Sequence, residues 1–147
     1  MKMAYFKYSL WLLLLFGIYS CKSTKYVSEG EYLLDKVKIS SDVPGYKSME
    51  LKPYVRQQPN YKMFGLYKTS LQIYNLSGND STKWFNRFVR KIGEAPVLFD
   101  SALVDKTENE FRKLFINMGY INAEISSEVL RGNKKARVIY HIKGNTH

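Results

Sequence analysis

Residues 107–144 change hydrophobic period once, and the change separates a helix from a hairpin. Phe111, Leu114, Phe115 and Met118 fall at i, i+3, i+4 and i+7, the spacing of one apolar stripe on a helix. Thr107 with Glu110 has the form of a capping box, which predicts a helix start there. Gly119 supplies the residue that leaves the helix in a left-handed conformation. From Ile121 the period becomes two. Ile121, Ala123, Ile125 and Val129, with Ser127 on the same side, alternate with Asn122, Glu124, Ser126 and Glu128, predicting a strand over 121–129. Arg131-Gly132-Asn133-Lys134 reads as a turn. Ala136, Val138, Tyr140 and Ile142 then alternate with Lys135, Arg137 and His141 as a second strand. Helix and hairpin each carry one apolar side, so each is expected to bury the other.

Upstream the pattern is more broken. Residues 32–39 predict a strand in which Leu33, Val37 and Ile39 share a face, with Asp35 interrupting it. Ser41-Asp42-Val43-Pro44-Gly45 is loop chemistry, and Ser48 opens a short helix carrying Leu51 and Val55, with Pro53 near its start. Residues 61–81 are rich in Met63, Phe64, Leu66, Tyr67, Leu71, Ile73, Tyr74 and Leu76 but follow neither period. Tyr61, Phe64, Tyr67 and Tyr74 are expected in the core rather than on a membrane. Residues 82–92 predict a helix capped by Asp80 or Ser81 and stopped at Gly93. Its apolar stripe is Trp84, Phe85, Phe88, Val89 and Ile92. Lys83, Arg87, Arg90 and Lys91 form the densest basic face in the sequence, either plain solvated surface or a contact for an anionic partner. Residues 97–104 read as an extended connector.

The first twenty residues have the three parts of an export signal. Lys2 and Lys7 precede the apolar run from Leu10 to Phe16, and smaller, more polar residues follow. That run is short for a membrane span of about 20 residues. Ile18-Tyr19-Ser20-Cys21 then resembles the bacterial lipobox, which implies lipidation of the Cys21 thiol and cleavage before it. Several acyl chains, at about 0.8 kcal/mol per buried CH₂, would hold such a protein on a bilayer. Residues 22–30 read as a polar tether without the acidic cluster that often directs surface export.

Charge and composition narrow the classes. The formal charge is +10, and removing Lys2 and Lys7 with an acid-free leader leaves +8, which suits an anionic lipid surface, an acidic protein or nucleic acid. Export argues against nucleic acid. Hydrophobic residues make up 45% of the chain, too many for a disordered segment. Cys21 is the one cysteine, so neither an intrachain disulfide nor a cysteine-rich metal cage can form. His141 and His147 have no ligand-spaced companions, and no phosphate loop, nucleophile elbow or H-E-x-x-H motif occurs. No enzyme activity, metal or cofactor is expected.

The element order β-α-α-β-β, with Leu114, Gly119, Tyr120, Ala123, Ile125, Val138, Tyr140, Ile142 and Gly144 in its closing half, resembles the POTRA (polypeptide-transport-associated) domain. Tyr32-Leu33-Leu34-Asp35-Lys36-Val37, Leu51-Lys52-Pro53-Tyr54-Val55-Arg56-Gln57, Tyr74-Asn75-Leu76-Ser77-Gly78 and Arg90-Lys91-Ile92-Gly93-Glu94-Ala95-Pro96 are similar to the opening of lipid-anchored BamA/TamA-type outer-membrane proteins. The resemblance covers nearly all of residues 21–147. It implies an α+β domain over 31–144, a small three-stranded sheet covered by helices, with a helical insertion at about 60–104 and a tail at 145–147. It also implies a place on the periplasmic face of the outer membrane, with assembly proteins or unfolded barrel precursors as partners. POTRA strand order would put 121–129 at the sheet edge, with Ile121, Ala123, Ile125, Ser127 and Val129 marking a docking strand for extended clients. Family members continue into further modules and a β-barrel. This sequence ends soon after the first module and lacks the alternation a barrel requires, so membrane insertion by a barrel is not expected of it. Two alternatives remain open: an envelope lipoprotein binding anionic lipid or polymer through the basic helix, and a remnant of a barrel protein.

Overall fold

The computed structural model describes residues 24–62 and 68–144. The leader, Cys21, the tail from 145 to 147, and Met63, Phe64, Leu66 and Tyr67 lie outside the described residues. Seven elements follow in order: β1 (Leu33–Ser41), α1 (Ser48–Leu51, continued by a 3₁₀ turn Lys52–Tyr54), α2 (Thr69–Asn75), α3 (Trp84–Ile92), α4 (Ser101–Asn117), β2 (Glu124–Gly132) and β3 (Lys135–Lys143). The result is a small mixed α+β fold, a three-stranded sheet covered by helices.

The strands lie in the order β1-β3-β2, with β1 parallel and β2 antiparallel to β3. Parallel pairing of β1 with β3 requires a long crossover, and the four helices occupy it. β3 is central, and its Ala136, Val138, Tyr140 and Ile142 are all buried. Against them lie Leu34 and Ile39 from β1, Leu51 and Val55 from the α1 segment, and Val104, Phe111 and Phe115 from α4. Phe111 meets Tyr140 edge-to-face with ring centroids 5.5 Å apart. α2 and α3 stand to one side, where Leu71 packs with Val27 and Leu33 in a second, smaller cluster.

Several sequence expectations shift, among them the helix predicted over 82–92, which begins at Trp84 with Lys83 before it and no side-chain cap from Asp80 or Ser81. The helix predicted from Thr107 begins six residues earlier, because Asp100 caps it by accepting a hydrogen bond from the Ala102 N–H at 2.8 Å. Thr107 is instead a buried mid-helix residue. Its Oγ1 donates to the Leu103 carbonyl at 2.7 Å and accepts from the Arg56 N–H at 3.1 Å. The extended connector is accordingly confined to residues 97–99, where Leu98 bridges Leu33.

In β1 the register shifts between Leu34 and Lys36, so a bulge at Asp35 absorbs the interruption in the apolar pattern. Leu34, not Leu33, shares the core cluster with Ile39, while Leu33 turns into the second cluster. The hairpin is also displaced along the chain. β2 starts at Glu124, leaving Ile121 exposed and Ala123 before the strand, and it runs on to Gly132. The turn is just Asn133-Lys134, both with positive φ (50° and 56°), the two-residue geometry whose twist suits a hairpin. Gly119, at φ 91°, ends α4 as its residue type predicts.

Candidate interaction surfaces

The sheet topology makes β2 a strand paired on one side only, against β3. The start of β1, by contrast, is covered: the Leu34 N–H donates to Val97 O at 2.8 Å and the Phe99 N–H to Tyr32 O at 2.7 Å. β2 is thus a long strand whose outer rim of N–H and C=O groups faces no strand along its whole length among the described residues, whereas β1 is covered at its start and open beyond it. Of the five predicted docking residues, the structure places Ile125, Ser127 and Val129 in β2, half-buried on the helix-covered side, with Ile125 and Val129 packed against the core. Ile121 and Ala123 fall outside the strand because the chain first completes the turn after α4. Along the opposite face Glu124, Ser126, Glu128 and Leu130 are exposed, and Glu128 lies 3.9 Å from His141. What β2 presents sideways is backbone, with a polar fringe.

The second surface is α3, and here the sequence pattern misleads. Of its predicted apolar stripe only Val89 is buried. Trp84 is 72% exposed, and Phe85, Phe88 and Ile92 are each at least half exposed, while Val89 and the polar Asn86 are buried. Hydrogen bonds explain the orientation. Asn86 donates from Nδ2 to Asp80 O at 2.6 Å and accepts at Oδ1 from the Gly78 N–H at 2.9 Å. Arg90 donates from Nε to Ser77 Oγ at 3.1 Å and from Nη2 to Gly78 O at 2.8 Å. These two side chains hold the loop before α3 and turn the helix's polar flank inward. Gly93 permits a close approach at the far end, since a Cβ there would lie 2.5 Å from the Tyr74 nitrogen.

The four predicted basic residues therefore divide. Arg90 is committed to the 77–78 turn and leaves the face. Lys83 stands 4.0 Å from Asp80, whose carboxyl is held below its ordinary value by hydrogen bonds from Thr82. Arg87 and Lys91 are exposed beside the aromatic residues. Asn86 and Arg90 hold the 77–80 loop, a role that a search for apolar periods passes over, since both are polar residues on an amphipathic helix.

The expected tether is also shorter than its composition suggests. Lys25 Nζ donates to Asn75 O at 2.8 Å and to Ser77 O at 3.1 Å, and Tyr26 Oη donates to Ser77 O. The Tyr26 and Tyr74 rings meet edge-on at 5.7 Å, and Val27 is buried. The described chain thus enters the fold at the end of α2.

Charge is concentrated at the β1 bulge. Asp35 lies within 3.3 Å of Lys68, 3.6 Å of Lys62 and 3.5 Å of Arg137. Burial pushes its carboxyl up, but the two lysines outweigh burial and leave it below its ordinary 3.8. Lys68 is itself buried and hydrogen-bonded to Leu34 O at 3.3 Å; burial depresses its ammonium, against the pull of Asp35. This is a structural ion cluster that clamps the bulge.

A groove of about 450 Å³ beside β1 is lined by Val37, Val55, Asn60, Lys62 and Glu94 among others. Three of its polar side chains are engaged: Asn60 bonds Ala95 O and the Val97 N–H, Lys62 pairs with Asp35, and Glu94 accepts from the Tyr61 N–H. Nothing in it converges on a reacting atom. Among the described residues no group of three or more His, Cys, Asp or Glu is placed to hold a metal, and no helix is long and apolar enough to cross a membrane. Comparison with family models, with curated proteins and with solved structures gave no match.

Proposed function

We propose that this chain is a lipid-anchored POTRA-like module facing the periplasm, related to outer-membrane protein assembly, that docks extended chain segments on β2. One observation carries the reading: in the β1-β3-β2 sheet, β2 is a nine-residue strand at the rim, paired among the described residues with β3 alone. An added strand would satisfy its outer backbone groups, giving affinity through main-chain bonds and little sequence preference. That is the property needed for many different unfolded clients. The parallel β1–β3 pair with two sheet-covering helices, α1 and α4, supports the reading, in which α2–α3 would be the insertion.

The test is photo-crosslinking in intact envelopes. A photoreactive residue at Ser126 or Leu130, beside the β2 rim, is expected to capture unfolded barrel precursors or assembly proteins. The same group at exposed Lys106 on α4 is the control. Equal capture at all three positions, or none, would remove the docking role.

A further inference from the structure

α3 carries the one large apolar face of the described fold that packing leaves open. Trp84, Phe85, Phe88 and Ile92 sit at i, i+1, i+4 and i+8, which at 100° per residue confines them to a single sector of a nine-residue helix. They are 72%, 50%, 52% and 52% exposed. Trp84 contacts both Phe85 and Phe88, with centroids 6.2 Å and 6.3 Å away, so the rings form one patch rather than isolated residues. Single apolar residues on a surface need no explanation; a contiguous aromatic patch marks a contact.

Two features choose the occupant. The first is charge. The helix, Trp84-Phe85-Asn86-Arg87-Phe88-Val89-Arg90-Lys91-Ile92, contains no acid, and exposed Arg87 and Lys91 border the patch, with Lys83 just before it. A second copy meeting the same face would crowd like charges together. A bilayer surface with anionic headgroups instead receives the cations at headgroup level and the rings at the acyl boundary. Each such cation adds to the attraction of an anionic surface.

The second feature is where the chain enters. Lys25 and Tyr26 fasten the N-terminal end of the described fold to Asn75 and Ser77, at the turn that leads to α3. Three Cα steps separate residue 21 from residue 24, at most about 11 Å of chain. An anchor at Cys21 therefore brings the bilayer to the α2–α3 pair, not to a distant part of the domain.

We propose that the Trp84–Phe85–Phe88–Ile92 face seats in an anionic membrane surface and fixes the orientation of the lipid-anchored domain upon it. The proposal rests on the lipid-anchor reading of Cys21 and is independent of client docking at β2. A lipid anchor by itself tethers; the helix face converts the tether into a defined pose.

The sequence provides a reporter, because Trp11 and Trp84 are its two tryptophans. Cleavage before Cys21 removes Trp11, so in the lipidated protein Trp84 reports alone. The protein is reconstituted into vesicles of brominated phosphatidylcholine, with or without one-third phosphatidylglycerol. Flotation reads the anchor and Trp84 quenching reads the face. The expected result is flotation with both lipids, and blue-shifted Trp84 emission quenched several-fold more strongly in the anionic vesicles. Arg87→Glu with Lys91→Glu is expected to abolish the anionic preference, and Phe85→Ser with Phe88→Ser to remove most of the quenching. Flotation with solvent-like, unquenched Trp84 would overturn the seated face while leaving the anchor standing. Failure to float would overturn both. Emission already blue-shifted in vesicle-free detergent, with light scattering giving a dimer, would assign the face to a second copy and overturn the membrane seat.

Discussion

α3 and α4 carry apolar stripes of similar sequence quality and opposite fate. In α4, Phe111 and Phe115 are wholly buried against the sheet. In α3, Trp84, Phe85, Phe88 and Ile92 look outward, while Asn86 and Arg90 turn inward to hold the 77–80 loop. Helical periodicity states that a helix has an apolar side. Whether that side meets protein depends on the partners the fold brings to it, and α3 lies against α2 rather than the sheet. The difference in burial predicts a difference in energy that substitutions can test.

The largest effect belongs to α4. Phe111→Ala removes a ring that is 0% exposed and in contact with Tyr140, and is expected to cost about 4 kcal/mol in urea unfolding. Thr107→Val comes next. It keeps the shape but leaves the Arg56 N–H and Tyr140 without the Thr107 hydroxyl, for an expected loss of about 2 kcal/mol in the same measurement. A loss as small as that of a surface substitution would mean that the Thr107 bonds do not join α1 to α4.

Asp35→Asn should be smaller, roughly 1.5 kcal/mol, because Lys62 and Arg137 reach Asp35 from partly exposed positions and only Lys68 is buried. It also carries a pH signature. The folded carboxyl titrates below its ordinary 3.8, so its contribution is complete above that value and is lost as pH falls through the lower folded value. Wild-type stability should therefore decline below about pH 4 more steeply than that of Asp35→Asn. Parallel stability–pH curves would remove the ion cluster from the stabilisation of the bulge.

The smallest effect sharpens the comparison most. Phe88→Ser in α3 is expected to change unfolding free energy by no more than about 0.5 kcal/mol, as for surface positions. A loss of 2 kcal/mol or more would show that the α3 face is covered by this protein's own chain, and would bring α3 into line with α4.

The contrast explains what could be read in advance. Phe111, Phe115, Val138, Tyr140 and Ile142 were legible as core because their elements alternate cleanly and lie at the sheet. The start of α4 was not, since Thr107-Glu108-Asn109-Glu110 imitates a helix start while Asp100 makes the real cap. Nor was the switch between Leu33 and Leu34, because a bulge is a response to pairing with β3 that no single strand announces. The basic face was legible as a set of four residues, but Arg90 left it for hydrogen bonds to Ser77 and Gly78 that depend on the loop's path.

By itself, then, the sequence determined the period of the main elements, the stop at Gly119, the central apolar strand and the location of the turn. These are local consequences of backbone geometry and side-chain alternation. The tertiary structure alone decided which apolar sides meet, that the described chain is fastened to α2 from Lys25 onward, and that the β2 rim faces no strand among the described residues. Burial and pairing are relations between distant segments. A residue's own neighbours can prepare a face or an edge, but only the folded chain determines whether anything covers it.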